Sequence, residues 1–363
     1  MALQETLTQE LASISATYDE HFAGQSRQSR DLGLLEQLTG RVRAALGQVQ
    51  QIPDAARGPE LRAVADEASR LLEMYETERK AIQAAKEAGP TFEPFAQLAT
   101  RANFIFARYG RHFAGQSRTS RDELMLQDMI EELVKLHASM KELAGAPAKA
   151  IFKGDLDLVE QNIGMYRKEA EAISQAQTSG TAEDRANLLG GLANNQFALY
   201  RVHFAGAARV TRRPGLLVRI IDGLEIIEDR MNRLASGGLN AEFHIKNIGV
   251  VRAQLDMYKK ELDEIRASRR GTPIAELMAM LGGSANELFA EYRENYPGKA
   301  RASVDRERLG SICDRLYEVL RQMQELGRAE ANQDNDNNQS IVMDQLSHFE
   351  QEFEEVTKAQ AKN

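Results

Sequence analysis

The sequence predicts an all-α protein made of four tandem three-helix units, each running up, down and up, stacked as a rod or superhelix. Three observations carry that expectation. First, one heptapeptide recurs, as His21-Phe22-Ala23-Gly24-Gln25-Ser26-Arg27, His112-Phe113-Ala114-Gly115-Gln116-Ser117-Arg118 and His203-Phe204-Ala205-Gly206-Ala207-Ala208-Arg209. A worn form stands at Asn295-Tyr296-Pro297-Gly298-Lys299-Ala300-Arg301. The glycines at 24, 115, 206 and 298 are 91, 91 and 92 residues apart, and a fixed long period marks an array of similar structural units. Second, apolar residues between the heptapeptides return at a spacing near 3.6, the period of a helix with one buried face. Third, the chain has 8 prolines and no tryptophan in 363 residues, a composition suited to helices rather than to a sandwich of short strands. The units this implies are 1–89, 90–180, 181–271 and 272–363, the last a degenerate C-terminal cap because its heptapeptide has lost the histidine and an alanine.

The second copy is the clearest. Gly89-Pro90 stops one helix, and the Thr91 hydroxyl is placed to accept from the free amides of the next. Leu98, Ala102, Ile105, Phe106 and Tyr109 then fall on one helical face. This first helix ends at the heptapeptide, where Gly115 can take the left-handed conformation that closes helices. A second helix is expected from Ser120, with Glu123 completing a capping box. Its stripe is Leu126, Met129, Ile130, Leu133, Leu136, Met140 and Leu143, matched in the fourth copy by Leu309, Ile312, Cys313, Leu316, Val319, Met323 and Leu326. The third helix carries Val159, Ile163, Tyr166, Ala170 and Ile173. Ser179-Gly180-Thr181 closes the unit, and Gly271-Thr272-Pro273 closes the next with proline at a first helical position, where its missing N–H costs little.

An odd number of antiparallel helices carries the chain from one end of a bundle to the other. Each heptapeptide is therefore expected at the junction with the following unit. His21, Phe22, Gly24, His112, Phe113, Gly115, His203, Phe204, Gly206 and Gly298 form this expected repeat-junction motif.

A net charge of −8 argues against a surface coated in positive charge for nucleic acid, although a local basic patch is compatible with it. Cys313 is the single cysteine, so no internal disulfide forms and a reducing compartment is the natural reading. The N-terminus lacks the basic-then-apolar pattern of a secretory signal, and no apolar run is long enough to span a bilayer. A cytoplasmic protein is expected.

The strongest local signal is the arginine kept in all four copies, Arg27, Arg118, Arg209 and Arg301, followed in three of them by Arg30, Arg121 and Arg212. Beside a helix N-terminus, arginines can grip phosphate or carboxylate. They can equally bond the last carbonyls of the first helix or a glutamate of the third, because a motif repeated within a chain is first a folding motif. With Arg213 added, the third copy holds the densest basic cluster, and Arg30, Arg121, Arg212 and Arg213 are expected to be exposed. The serines and threonine there (Ser29, Ser120, Thr211, Ser303) read as helix caps.

The three heptapeptide histidines would lie too far apart in a stack to share a metal, and the dipole at a helix C-terminus accounts for them. Asp334, Asp336 and Asn338 resemble the start of a calcium loop, but Gln339 and Gln345 stand where its glycine and bidentate glutamate belong, so a polar loop capping the third helix is expected. The remaining carboxylates read as solvated helix faces. No nucleophile, phosphate-cradling or metal motif occurs, and no cofactor is implied. The expected function is a non-enzymatic helical-repeat scaffold that binds other proteins or assembles with itself. The alternatives are a polyanion-binding module for nucleic acid, polyphosphate or anionic lipid, and a small-ligand site that forms only where units meet.

Overall fold

The computed structural model describes residues 2–22, 26–53, 56–145, 149–239, 241–329 and 333–361. The chain is all-helical, 87% helix without strands among the described residues. The helices are α1 (Ala2–Phe22), α2 (Leu32–Gln50), α3 (Pro59–Ala88), α4 (Phe92–Phe113), α5 (Glu123–Leu143), α6 (Lys149–Thr178), α7 (Ala182–Phe204), α8 (Pro214–Ser236), α9 (Glu242–Arg269), α10 (Ile274–Asn295), α11 (Arg306–Ala329) and α12 (Gln333–Gln360). None of them is long and apolar enough to cross a membrane.

The caps differ from the sequence expectation. Asp122, not Ser120, caps α5, its Oδ1 accepting from the amides of Leu124 and Met125 at 3.0 Å each. Asp31 and Asp305 do the same for α2 and α11. The serines sit one turn earlier in a short 3-10 turn, over 118–120 in the second copy, where Ser120 Oγ donates to the Ser117 carbonyl at 2.9 Å. Thr91 likewise donates, to the Ala88 carbonyl at 3.2 Å, rather than capping α4. An aspartate has the stronger claim on a cap because its charge also meets the helix dipole. Residues 335–338 lie in the first turns of α12 rather than in a polar loop.

The chain divides into two compact units, residues 1–99 with 135–161 and residues 100–134 with 162–363. In the first, α2 packs against α1 and α3 around Leu11, Ile14, Leu38, Val42, Leu71 and Tyr75. Phe95 stacks on Phe152 there at 3.7 Å between centroids.

In the second unit α8 packs between α7 and α9 around Leu217, Ile220, Leu224, Leu255 and Ile265, and α11 packs on α10, α12 and α7. The expected stripe of α11 is buried, and so are Asp314, Glu318 and Gln322, one further turn apart each. Arg111 of α4 reaches Asp314 of α11 and Glu350 of α12. An array in which each copy touches only its sequence neighbours has no such contact, so end-to-end stacking does not describe this unit. The polar residues of α11 are buried against the second and third copies. Close approach marks α8 as well. A Cβ on Gly223 would lie 3.2 Å from Leu124 Cδ1 and 3.4 Å from the Gln196 side chain. The same sequence position holds Arg41, Glu132 and Arg315 in the other copies.

Candidate functional site

The heptapeptide leaves its helix through a glycine of positive φ, +73° at Gly115, +78° at Gly206 and +76° at Gly298. Gly24 lies outside the described residues. The aromatic residue before it turns inward. Phe113 stacks on Tyr109 at 5.1 Å, and Tyr109 stacks on Tyr166 of α6 at 4.2 Å. Tyr18 with Phe22 and Tyr75, Tyr200 with Phe204 and Tyr258, and Tyr292 with Tyr296 and Phe349 repeat the trio. Phe22, Phe113 and Phe204 are each 1% exposed. The phenylalanine thus packs on aromatic residues of its own copy, and Phe113 also lines a cleft with Asn195 and Arg306 of the third and fourth copies. The tyrosine one helical turn before it was the sequence signal for that stack.

The chain then enters the 3-10 turn that aims the arginines at one glutamate of the third helix. Arg118 Nε and Nη2 donate to Glu169 at 3.0 Å each, and Arg121 bonds the same carboxylate from the other side. Arg27 and Arg30 share Glu78, and Arg209 and Arg212 share Glu261. Arg301 bonds Glu352 and Glu355. The hydrogen bond from Arg118, against some burial, holds the Glu169 carboxyl below its usual range. The expected exposure is reversed. The first arginine is the open one, with 57% of the Arg118 side chain exposed against 15% of Arg121. The second lies under it because it has to reach the inner side of the same carboxylate. These guanidinium groups therefore already hold an internal anion.

Arg213 departs furthest from expectation. It stands at the N-cap of α8, where the other copies have Asp31, Asp122 and Asp305. Its side chain is 4% exposed, bonded to Glu318 at 2.6 Å and to Glu325. The basic cluster of the third copy is thus partly an internal ion-pair network of α11. Arg219 and Arg321 extend it to Asp128, at 3.1 and 3.3 Å. Burial works to raise Glu318, but Arg213, Arg321 and Arg219 overcome it and hold the carboxyl far below its usual range. Asp314, read from the sequence as a solvated carboxylate, accepts from Arg111 Nη2 at 2.7 Å and lies 2.9 Å from His112 Nε2. Burial opposes its ionisation, yet Arg111 and His112 hold it well below the ordinary value. A helical period cannot distinguish such a face from a solvated one, because its partners come from other copies.

A cleft of about 740 Å³ opens beside this network, lined by His112, Asp122, Asn195, His203, Arg306 and Asp314 among others. Burial pushes His203 down to about 4, in spite of Glu318 and Asp314 nearby, so its imidazole is neutral at pH 7. His21 belongs to the other unit and is exposed. A second cavity of about 250 Å³ shares Asp122, Met125 and Leu199 with the first. Among the described residues no group of three or more His, Cys, Asp or Glu side chains could hold a metal ion. Of the calcium candidates, Asp336 and Asn338 are helical, and the Asp334 side chain lies outside the described residues. Cys313 is fully buried on the α11 stripe, and burial raises its thiol well above the ordinary value. Comparison with protein-family models, curated proteins and solved structures returns no match.

Proposed function

We propose that this chain is a non-enzymatic, cytoplasmic helical-repeat scaffold, built of four three-helix repeats at 1–89, 90–180, 181–271 and 272–363, that binds other proteins. The repeat reading is supported by chemistry that returns in register. The arginine and its glutamate are 51, 51, 52 and 51 residues apart in the four copies. Each copy also carries an aromatic trio at matching positions.

One observation carries the binding reading. Large apolar side chains stand exposed at the same register of the third helices. Met165 of α6 and Met257 of α9, each just before the buried tyrosine, are both 47% exposed. One heptad earlier Leu158, Val250 and Ile341 are 45%, 43% and 53% exposed. Scattered surface apolar residues are ordinary, but recurrence in register along helices is the pattern by which helical surfaces recognise protein partners. Against the polyanion alternative stands the carboxylate already seated on each arginine cluster.

A photo-crosslinking residue at Met257, with Asp263 of the same helix as control, tests the reading in cells. Protein crosslinks from position 257 and none from position 263 are expected. Absence of protein crosslinks from 257, or equal capture at both positions, refutes it.

A further inference from the structure

Arg108 of α4 stands apart from every other arginine of the α11 network. It is 4% exposed, and its Nε is enclosed without a hydrogen-bond partner. No carboxylate among the described residues lies within ion-pair distance of it, although its charge helps hold the buried Glu318 and Asp314 ionised; the guanidinium sits over the face of the Tyr317 ring, 5.6 Å from the ring centroid. Arginine does not shed its proton in proteins, so this is a permanent buried charge with no carboxylate bonded to it. Such groups are ordinarily paired. The position is no part of the repeated frame, since Thr17, Leu199 and Glu291 occupy it elsewhere.

Arg108 lines the 250 Å³ cavity, together with Asp122, Asp128, Glu131, Arg219 and Asp222. The cavity opens to solvent and has room for a small metabolite. Carboxylates outnumber guanidinium groups in the lining, so a bare anion drawn to Arg108 would meet repulsion around it. Asp128 is committed to Arg219 and Arg321. Asp122 is committed to the α5 cap and to Gln196, at 2.5 Å. Asp222 is exposed and makes no ion pair among the described residues. The cavity thus offers one enclosed cation and one uncommitted anion.

We infer that this cavity binds a small zwitterion, an amino acid or short aminocarboxylate, with its carboxylate on Arg108 and its ammonium group toward Asp222. A planar carboxylate matches the guanidinium fork, and a ligand bearing both charges satisfies the lining where an anion or a cation alone does not. This inference does not depend on the scaffold reading.

The test is calorimetric and thermal-shift titration of the full chain with glycine, β-alanine and γ-aminobutyrate, which place the two charges at increasing separation. Acetate and ethylamine serve as single-charge controls. One of the zwitterions is expected to bind and raise the melting temperature, with both controls weaker by at least roughly tenfold. Arg108→Gln is expected to weaken that binding roughly a hundredfold. Asp222→Asn, at an exposed position that leaves the fold intact, is expected to weaken the zwitterion but not the residual binding of acetate. No binding by any zwitterion at millimolar concentration overturns the inference. So does acetate binding as tightly as the best zwitterion, or an unchanged affinity in Asp222→Asn.

Discussion

Replacing Asp314 with asparagine removes one charge and changes almost nothing in shape, which isolates the electrostatics of α11. In the native chain Asp314 accepts from Arg111 at 2.7 Å and meets His112 at 2.9 Å. The Arg111 side chain is 6% exposed, so water cannot replace the lost charge. Breaking a buried pair by removing one partner costs about 3–5 kcal/mol. Glu350 still holds Arg111 in the variant, which brings the expected loss to about 2–3 kcal/mol. Amide hydrogen exchange across Ile312–Leu320, the buried centre of α11, reads this as roughly 30- to 150-fold faster exchange. The pH dependence follows from the sign of the shift. Asp314 is held below its unfolded value near 3.9, so its contribution is complete above that value and is lost only as pH falls through the depressed native one. The Asp314 carboxylate itself therefore stays charged through the ordinary carboxylate range, and its contribution should disappear only in stronger acid. In an Arg111→Met background the same substitution should cost less, because its main partner is gone. Exchange within about twofold of wild type, or strict additivity in the double variant, would refute the reasoning.

Three further outcomes are expected. Arg213→Asp restores the N-cap aspartate of the other copies, worth about 1 kcal/mol. It also strips buried Glu318 of its closest cation at a cost of about 3–5 kcal/mol, so the urea midpoint should fall, and a rise would contradict the network. Gly115→Ala should cost about 1 kcal/mol by equilibrium unfolding, a purely backbone effect of φ +73°, since a Cβ there finds open space; no loss would mean the turn is not left-handed. The His203 imidazole should titrate by NMR with a midpoint near 4. Because the unfolded chain takes up that proton near 6.5, stability should decline as pH falls between these values, and a midpoint near 6.5 would contradict the burial.

The helices and their buried stripes were legible in the sequence because burial of an apolar face leaves a period in the chain itself. The glutamate beneath the repeated arginines was legible too, as one of three readings. What escaped the sequence depended on partners distant in the chain. Asp314, Glu318 and Gln322 look like any solvated polar face until Arg111, Arg213 and the Thr211 carbonyl are brought against them. The capping aspartates were masked by Arg213, which breaks their column in the third copy. The serines, present in register, took their place in the reading although their hydroxyls serve the preceding turn. Arg108 gave no repeat signal, and only its burial without a bonded carboxylate makes it conspicuous.

Gly223 bears on how such a chain can change over time. Sequence periodicity suggests interchangeable parts, from which copies might be gained, lost or exchanged. At this position a Cβ in the third copy would already press on the Leu124 and Gln196 side chains, while the others carry arginine or glutamate. Substituting one copy for another would drive a charged side chain into the seam where α5 and α7 meet α8. The order of the copies is therefore written into their seams. Lineages of this protein should vary by point substitution at fixed length rather than by adding or removing ninety-residue blocks.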